Sequence, residues 1–205
     1  MTPASPHTIP GRGEIVPPRR LAPRRPVPLR RLSASAVAAQ LALVLTACSQ
    51  PEEKRSFALP PDLCGTPVPA AALDAVLPKS GKTLEARVSS REVGATHCRV
   101  VVDDTAVISA ISEWQVDPSV TKAAHINPYL DLDEYTSKDG TYMWSGQGGV
   151  RRIPCPVAAK EHPERNKLFI RILIHDEKLS NADAAKGLLL AYAKSVTDSA
   201  DCKGS

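Results

Sequence analysis

Lys167 to His175 most restricts how this chain can fold. Leu168, Ile170, Ile172 and Ile174 recur at a period of two, so they line one face of a β-strand. Just downstream, Ser180 with Asp183 three residues on reads as a capping box. Ala182, Ala185, Leu188, Leu189, Tyr192, Ala193 and Val196 then recur at helical spacing. An apolar strand face followed by a helix with a wide apolar stripe leaves two surfaces that must cover each other. That demands a sheet with a helix packed on it.

The upstream chain supplies further strands. Leu84, Ala86 and Val88 alternate with Glu85, Arg87 and Ser89, and Cys98, Val100 and Val102 repeat the pattern. Asp103-Asp104-Thr105 makes a turn into a third strand over Ala106 to Trp114. Residues 84–114 therefore read as an antiparallel meander. Before it, Thr66-Pro67 reads as an N-cap and first helical residue. The short helix that follows buries Leu73, Val76 and Leu77 and ends before Pro78. From Asp117 to Gly140 the periodicity fails, giving a long polar excursion with one short helix near Val120 to His125. Thr141 to Ser145 and Val150 to Ile153 read as a hairpin joined by Gly146-Gln147-Gly148-Gly149. The expected fold is α+β. It has a single antiparallel sheet of about five to six strands, a short N-terminal helix and a C-terminal amphipathic helix packed on the sheet.

The first quarter of the chain does not belong to that fold. Residues 1–29 are rich in Pro and Arg without apolar periodicity and cannot form a packed core. Val27, read as a non-AUG start, would leave residues 1–26 untranslated and give a leader of ordinary length. Arg30-Arg31 is followed by an uncharged run, Leu32 to Ala47, of 16 residues. A membrane-spanning helix needs ~20. A charged start, a short apolar run and small residues before a cleavage point describe an export signal. Leu45-Thr46-Ala47-Cys48 resembles the lipobox of bacterial lipoproteins, in which the cysteine receives a diacylglyceryl thioether and becomes the first residue of the mature protein. The alternative is an ordinary secreted protein with a chance cysteine here. The paired arginines leave both the general secretory and the twin-arginine routes open. The expected organisation is a leader at 1–47, a lipidated terminus and tether at 48–62, and one disulfide-stabilised domain at 63–205.

Removing the leader changes the charge. It takes seven of the 26 basic residues and one of the 22 acidic ones, leaving about −2. The basic pI of 8.8 therefore belongs to the leader. No Lys/Arg cluster with interleaved aromatics remains, so a nucleic-acid partner is not expected. With Cys48 lipidated, Cys64, Cys98, Cys155 and Cys202 are left as an even set in an exported domain, which implies two disulfides. A helix followed by a returning strand brings Cys64 near Cys98. A strand followed by a returning helix brings Cys155 near Cys202. Chain geometry thus favours these pairs over the two other pairings.

The lipobox, the Arg/Pro/Ala-rich leader and one small four-cysteine α+β domain together resemble the small lipoproteins of high-GC actinobacteria, many of which belong to families of unknown function. The resemblance implies a location on the extracytoplasmic face of the cell membrane, held by lipid at Cys48. It implies no activity.

The chain carries no GxSxG elbow, HExxH pair or P-loop. Gly146-Gln147-Gly148-Gly149, with Arg151-Arg152 after it, precedes Ile153-Pro154 and reads as a hairpin turn rather than a phosphate cradle. Asp131, Asp133 and Glu134 lack the glycine and the distal glutamate of a calcium loop and read as an exposed acidic turn. No metal and no cofactor is expected. The excursion and hairpin over 117–149 concentrate Tyr129, Tyr135, Tyr142 and Trp144 in a chain with few aromatics. With Asp131 and Asp133 they form the expected binding surface, since Tyr and Trp favour contacts and loops on a rigid sheet commonly carry them. The expected function is a non-enzymatic, lipid-anchored binding domain for a protein or envelope component. The competing classes are a small hydrolase-like enzyme assembled around His175, Arg171 and Asp131, and a purely structural envelope protein.

Overall fold

The computed structural model describes residues 54–126 and 131–203. The leader, Cys48, the first residues of the expected tether and Tyr129 lie outside the described residues. In chain order the elements are β1 (Asp62–Leu63), β2 (Thr66–Pro67), α1 (Ala70–Asp74), β3 (Leu84–Glu92), β4 (Ala95–Val102), β5 (Thr105–Gln115), α2 (Val120–Ala124), β6 (Tyr135–Thr136), β7 (Tyr142–Ser145), β8 (Gly148–Ile153), β9 (Lys167–Ile174), α3 (Ala182–Asp198) and α4 (Ala200–Lys203). β3 to β9 form one antiparallel sheet in the order β3-β4-β5-β9-β8-β7-β6, and β1-β2 form a separate ribbon. The α+β class, the meander and the packed C-terminal helix are as expected. The main sheet has seven strands, not five or six. The extra strand, β6, is two residues long, too short for any alternation to show.

The last strand in sequence, β9, is inserted at the middle of the sheet between β5 and β8. Leu168, Ile170, Ile172 and Ile174 share one face with Cys98, Val100, Ile108, Ala110 and Ile153. Ala185, Leu188, Leu189, Tyr192 and Ala193 of α3 bury against this face, as do Leu73, Val76 and Leu77 in and after α1. The other face of β9 is apolar too. Phe169 and Leu173 join Ile111, Met143 and Val150 beneath Val120, Ala123 and Ala124 of α2 and Leu132. About half of the polar excursion is therefore a lid on the second face of the sheet. Helix packing on both sides explains why β9 reads as a nearly continuous apolar run.

Helix starts lie a few residues from where the sequence suggests. Asn181, not Ser180, caps α3, its Oδ1 accepting from the Ala184 N–H at 2.9 Å. Thr66-Pro67 forms β2, and α1 begins at Ala70. The cause is the two-residue turn between β1 and β2. Cys64 and Gly65 have φ of 54° and 91°, the positive values a type I′ hairpin needs. Asp62 Oδ1 accepts from the Gly65 N–H at 2.7 Å, steadying the turn. Asp103 and Asp104, at φ 45° and 65°, turn β4 into β5 in the same way.

The disulfides join Cys64 to Cys98 and Cys155 to Cys202, across 34 and 47 residues. Closing loops of that size raises the free energy of the unfolded chain by about 4 kcal/mol each in the entropy model. The first ties the β1-β2 ribbon to β4. The second ties the chain leaving β8 to α4. The fixed structure begins before Leu63. The Arg55 guanidinium pairs with Asp74 at 2.5 Å and donates to the carbonyls of Leu77 and Pro78, satisfying groups at the end of the α1 segment. Phe57 and Leu59 pack on the same core.

Two glycines assigned to the hairpin turn lie inside β8. Gly148 has φ +134°, and a Cβ there would sit 2.0 Å from the Ile172 carbonyl oxygen. At Gly149 a Cβ would meet Leu189 Cδ2 and the Met143 carbonyl, both at 2.8 Å. The β9 backbone requires hydrogen at Gly148, and the approach of α3 requires it at Gly149. Gly187, on the exposed side of α3, has open space around it. Gly148→Ala should therefore destabilise the domain by about 3 kcal/mol. Gly187→Ala should stabilise it by up to ~1 kcal/mol. Urea unfolding of the oxidised domain separates the two signs.

One charge lies within the second face. Arg171 is only 5% exposed and pairs with Glu113 across β5 and β9. Burial pulls the guanidinium below its usual value, and the charge and hydrogen bond of Glu113 oppose that fall. Glu113→Ala strands the buried cation and should cost ~3 kcal/mol. The double variant Arg171→Met with Glu113→Leu should lie within ~1 kcal/mol of the parent, since an apolar pair replaces a buried ionic one at little cost. Both values come from the same unfolding measurement.

Candidate functional site

Alternation along the strands decides which of the expected surface residues meet. Tyr135 pairs with Trp144 across β6 and β7, and Tyr142 lies two residues from Trp144 on the same face. The Tyr135 and Trp144 rings stack at 5.3 Å between centroids, and Tyr142 lies 5.3 Å from Trp144 on the other side. Lys186 of α3 places its ammonium 4.4 Å from the Trp144 ring centre, and the Arg151 guanidinium lies 5.6 Å from that of Tyr142. These three rings form a row at the β6-β7 edge of the sheet, on the face that carries α3. Tyr135 is 43% exposed and is the ring that meets solvent most. Between Tyr135, Trp144 and the first turn of α3 lies a shallow cavity of about 360 Å³, whose polar walls are Asn181 and Asp183.

Asp131 and Asp133 belong elsewhere. Leu132 between them is buried with α2. The Asp133 carboxylate meets His125 Nε2 at 3.0 Å, and His125 Nδ1 donates to the Thr121 carbonyl at 2.7 Å. The Asp131 N–H donates to Gln147 Oε1, and its carbonyl accepts from Ser145 Oγ. Hydrogen bonds from Asp133, foremost, hold the Asp131 carboxyl below its ordinary value. Asp131 and Asp133 therefore close the α2 lid onto the β7-β8 hairpin, whereas Glu134, the last acid of the turn, hydrogen-bonds with Tyr135 of the aromatic row. Among the described residues no group of three or more His, Cys, Asp or Glu is placed to hold a metal ion.

The residues considered for an enzyme divide similarly. His175 Nε2 lies 2.8 Å from Ser109 Oγ, a nucleophile–base spacing. Desolvation, and then the positive charge of Arg99, hold the imidazole below its usual value. Ser109 lies mid-strand in β5, however, paired with Arg99 of β4 on one side and Leu173 of β9 on the other. Ladder bonds on both sides occupy the backbone N–H groups that an oxyanion hole would need. Arg171 is bound to Glu113, and Asp131 to the acidic turn. The three residues do not converge on one reacting atom.

Sequence reading missed Lys186, Asn181, Asp183 and Arg151 as members of the aromatic site. The signal lay in two periods combined: residues 142, 144, 149 and 151 share a face by strand parity, and α3 lies over it. Which helix turn sits over which ring depends on the packing of α3 across β8, and no local pattern carries that.

The turn that positions Tyr142 depends on Asp139. Its carboxylate accepts from Ser137 Oγ at 2.7 Å and from the Thr141 N–H and hydroxyl. Ser137 Oγ in turn accepts from the Tyr142 N–H at 3.1 Å. The Ser137 hydroxyl foremost, then the Thr141 groups, pull the Asp139 acid from its ordinary 3.8 to about 2. A carboxyl lowered by folding stabilises the turn above pH 3.8 and loses that effect as pH falls toward about 2. The near-ultraviolet circular dichroism of the aromatic row should weaken across that window in the parent. Asp139→Asn should show the weakened signal already at neutral pH, with little further change on acidification.

Comparison of the chain with family models, with curated proteins and with solved structures produced no match.

Proposed function

We propose that this chain is a lipid-anchored extracytoplasmic domain that binds a protein or cell-envelope component through the Tyr135–Trp144–Tyr142 row. The observation that carries the reading is the row itself: three rings in mutual contact at a sheet edge, one of them substantially exposed, beside a cavity with amide and carboxylate walls. Rigid aromatics give large contact area at low entropic cost, and the nearby polar groups can fix a partner's orientation. The sequence before the domain supports anchoring through Cys48, and the two disulfides suit an oxidising compartment. Asp131 and Asp133 are not part of this surface.

Two measurements test the reading. Cys48→Ala should move the protein from the membrane fraction to the soluble extracytoplasmic fraction; unchanged membrane retention defeats the anchor. A benzophenone amino acid in place of Tyr135 should give a discrete covalent adduct in living cells. The same probe at Val93, 94% exposed at the tip of the β3-β4 hairpin, should give none. Equal labelling at both positions, or at neither, defeats the surface.

A further inference from the structure

A second concavity lies at the other end of α3. It is enclosed by the β1-β2 ribbon, the ends of β4 and β5, the 158–161 turn, the last turns of α3, and α4. Its volume is about 500 Å³, within the range of small-molecule sites. All four cysteines of the two disulfides are among its lining residues. The walls are therefore covalently tied on both sides, which lowers the entropic cost of holding a ligand.

Its chemistry is asymmetric. One wall is aromatic: the His162 ring stacks on Trp114 with centroids 4.7 Å apart. Tyr192 lines the interior at 5% exposure, and among the described residues its hydroxyl meets only Thr66 Oγ1, at 3.4 Å. Hydroxyl pairs normally close to about 2.7–2.8 Å, so this buried phenol is left with a slack partner at the cavity wall. Ser195 and Ser199 add further hydroxyls. Glu161 and Asp201 are exposed lining residues, and no Lys or Arg is found among the described residues of the lining. Two carboxylates beside a partly closed, aromatic-walled space repel anions and concentrate cations. An ammonium could donate to the hydroxyl and carboxylate oxygens while its carbon body covers the Trp114–His162 wall.

We propose that this cavity binds a small amphipathic cation, an organic amine with an apolar or aromatic body. The site is separate from the aromatic row at the β6-β7 edge and does not depend on that row having a partner.

Three probes of one shape and different charge test it: benzylamine, benzyl alcohol and benzoate. The chain has two tryptophans, so Trp144→Phe leaves Trp114 as the only indole reporter. Titration of the oxidised domain should show saturable change of Trp114 fluorescence with benzylamine, at least tenfold tighter than with benzoate. The double variant Glu161→Gln with Asp201→Asn should weaken benzylamine about fivefold or more and leave benzyl alcohol unchanged. Calorimetry on the protein with both tryptophans gives the same ranking without the reporter substitution. Benzoate binding as well as benzylamine, an unchanged benzylamine affinity in the double variant, or no saturable binding of any probe would each overturn the proposal.

Discussion

Burial of β9 on both faces is the constraint on which the rest depends. Leu168, Ile170, Ile172 and Ile174 require α3 and the α1 segment on one side, and Phe169 and Leu173 require the α2 lid on the other. A strand apolar on both faces is unstable at an edge, so it occupies the centre. Its insertion there separates the meander from the β6-β7-β8 half. Val120, Ala123, Ala124 and Leu132 of the excursion are then committed to closing the second face. Arg171 is the exception within this strand. It is buried between Ile111 and Val150 of the neighbouring strands and is held by Glu113.

α3 organises both candidate surfaces. Its first turns supply Asn181, Asp183 and Lys186 beside the aromatic row. Its last turns supply Tyr192 and Ser195 to the disulfide-framed cavity. Leu188 and Leu189, between them, fix the helix to the sheet through Gly149. The same close approach that excludes a side chain at Gly149 brings Lys186 over Trp144. Packing and site geometry therefore have one cause, the depth at which α3 sits on β8. The disulfides act at the other end, where they hold the ribbon and α4 against a sheet that the short α1 covers only partly.

Features with a strong local period were legible in the sequence. The β9 alternation, the α3 stripe, the meander and the α2 helix all lie close to where their periods place them. The disulfide partners followed because a hairpin or helix return is itself a local geometry. Features set by competition between local and distant demands were not legible. Thr66-Pro67 has the chemistry of a helix start, but the turn at Cys64-Gly65 draws it into a ribbon. Ser180 has the chemistry of a cap, but Asn181 is the residue whose side-chain amide oxygen accepts from the Ala184 N–H. Glycines read as a turn lie in a strand, because close packing and turning both favour glycine.

The candidate surface shows the same division. Composition alone picked out the aromatic segment and strand parity placed Tyr142 with Trp144, but the β6-β7 register brought Tyr135 to them. By itself the sequence determined the strongly periodic elements and the fold class, and favoured the cysteine pairing, because these depend on patterns within a few residues or on short chain returns. Only the tertiary structure decided that Asp131 and Asp133 face the lid, that Lys186 covers Trp144, and that both disulfides border one cavity. Those contacts join residues from distant parts of the chain. Their geometry follows from how one helix seats on one sheet, which no local stretch of sequence encodes.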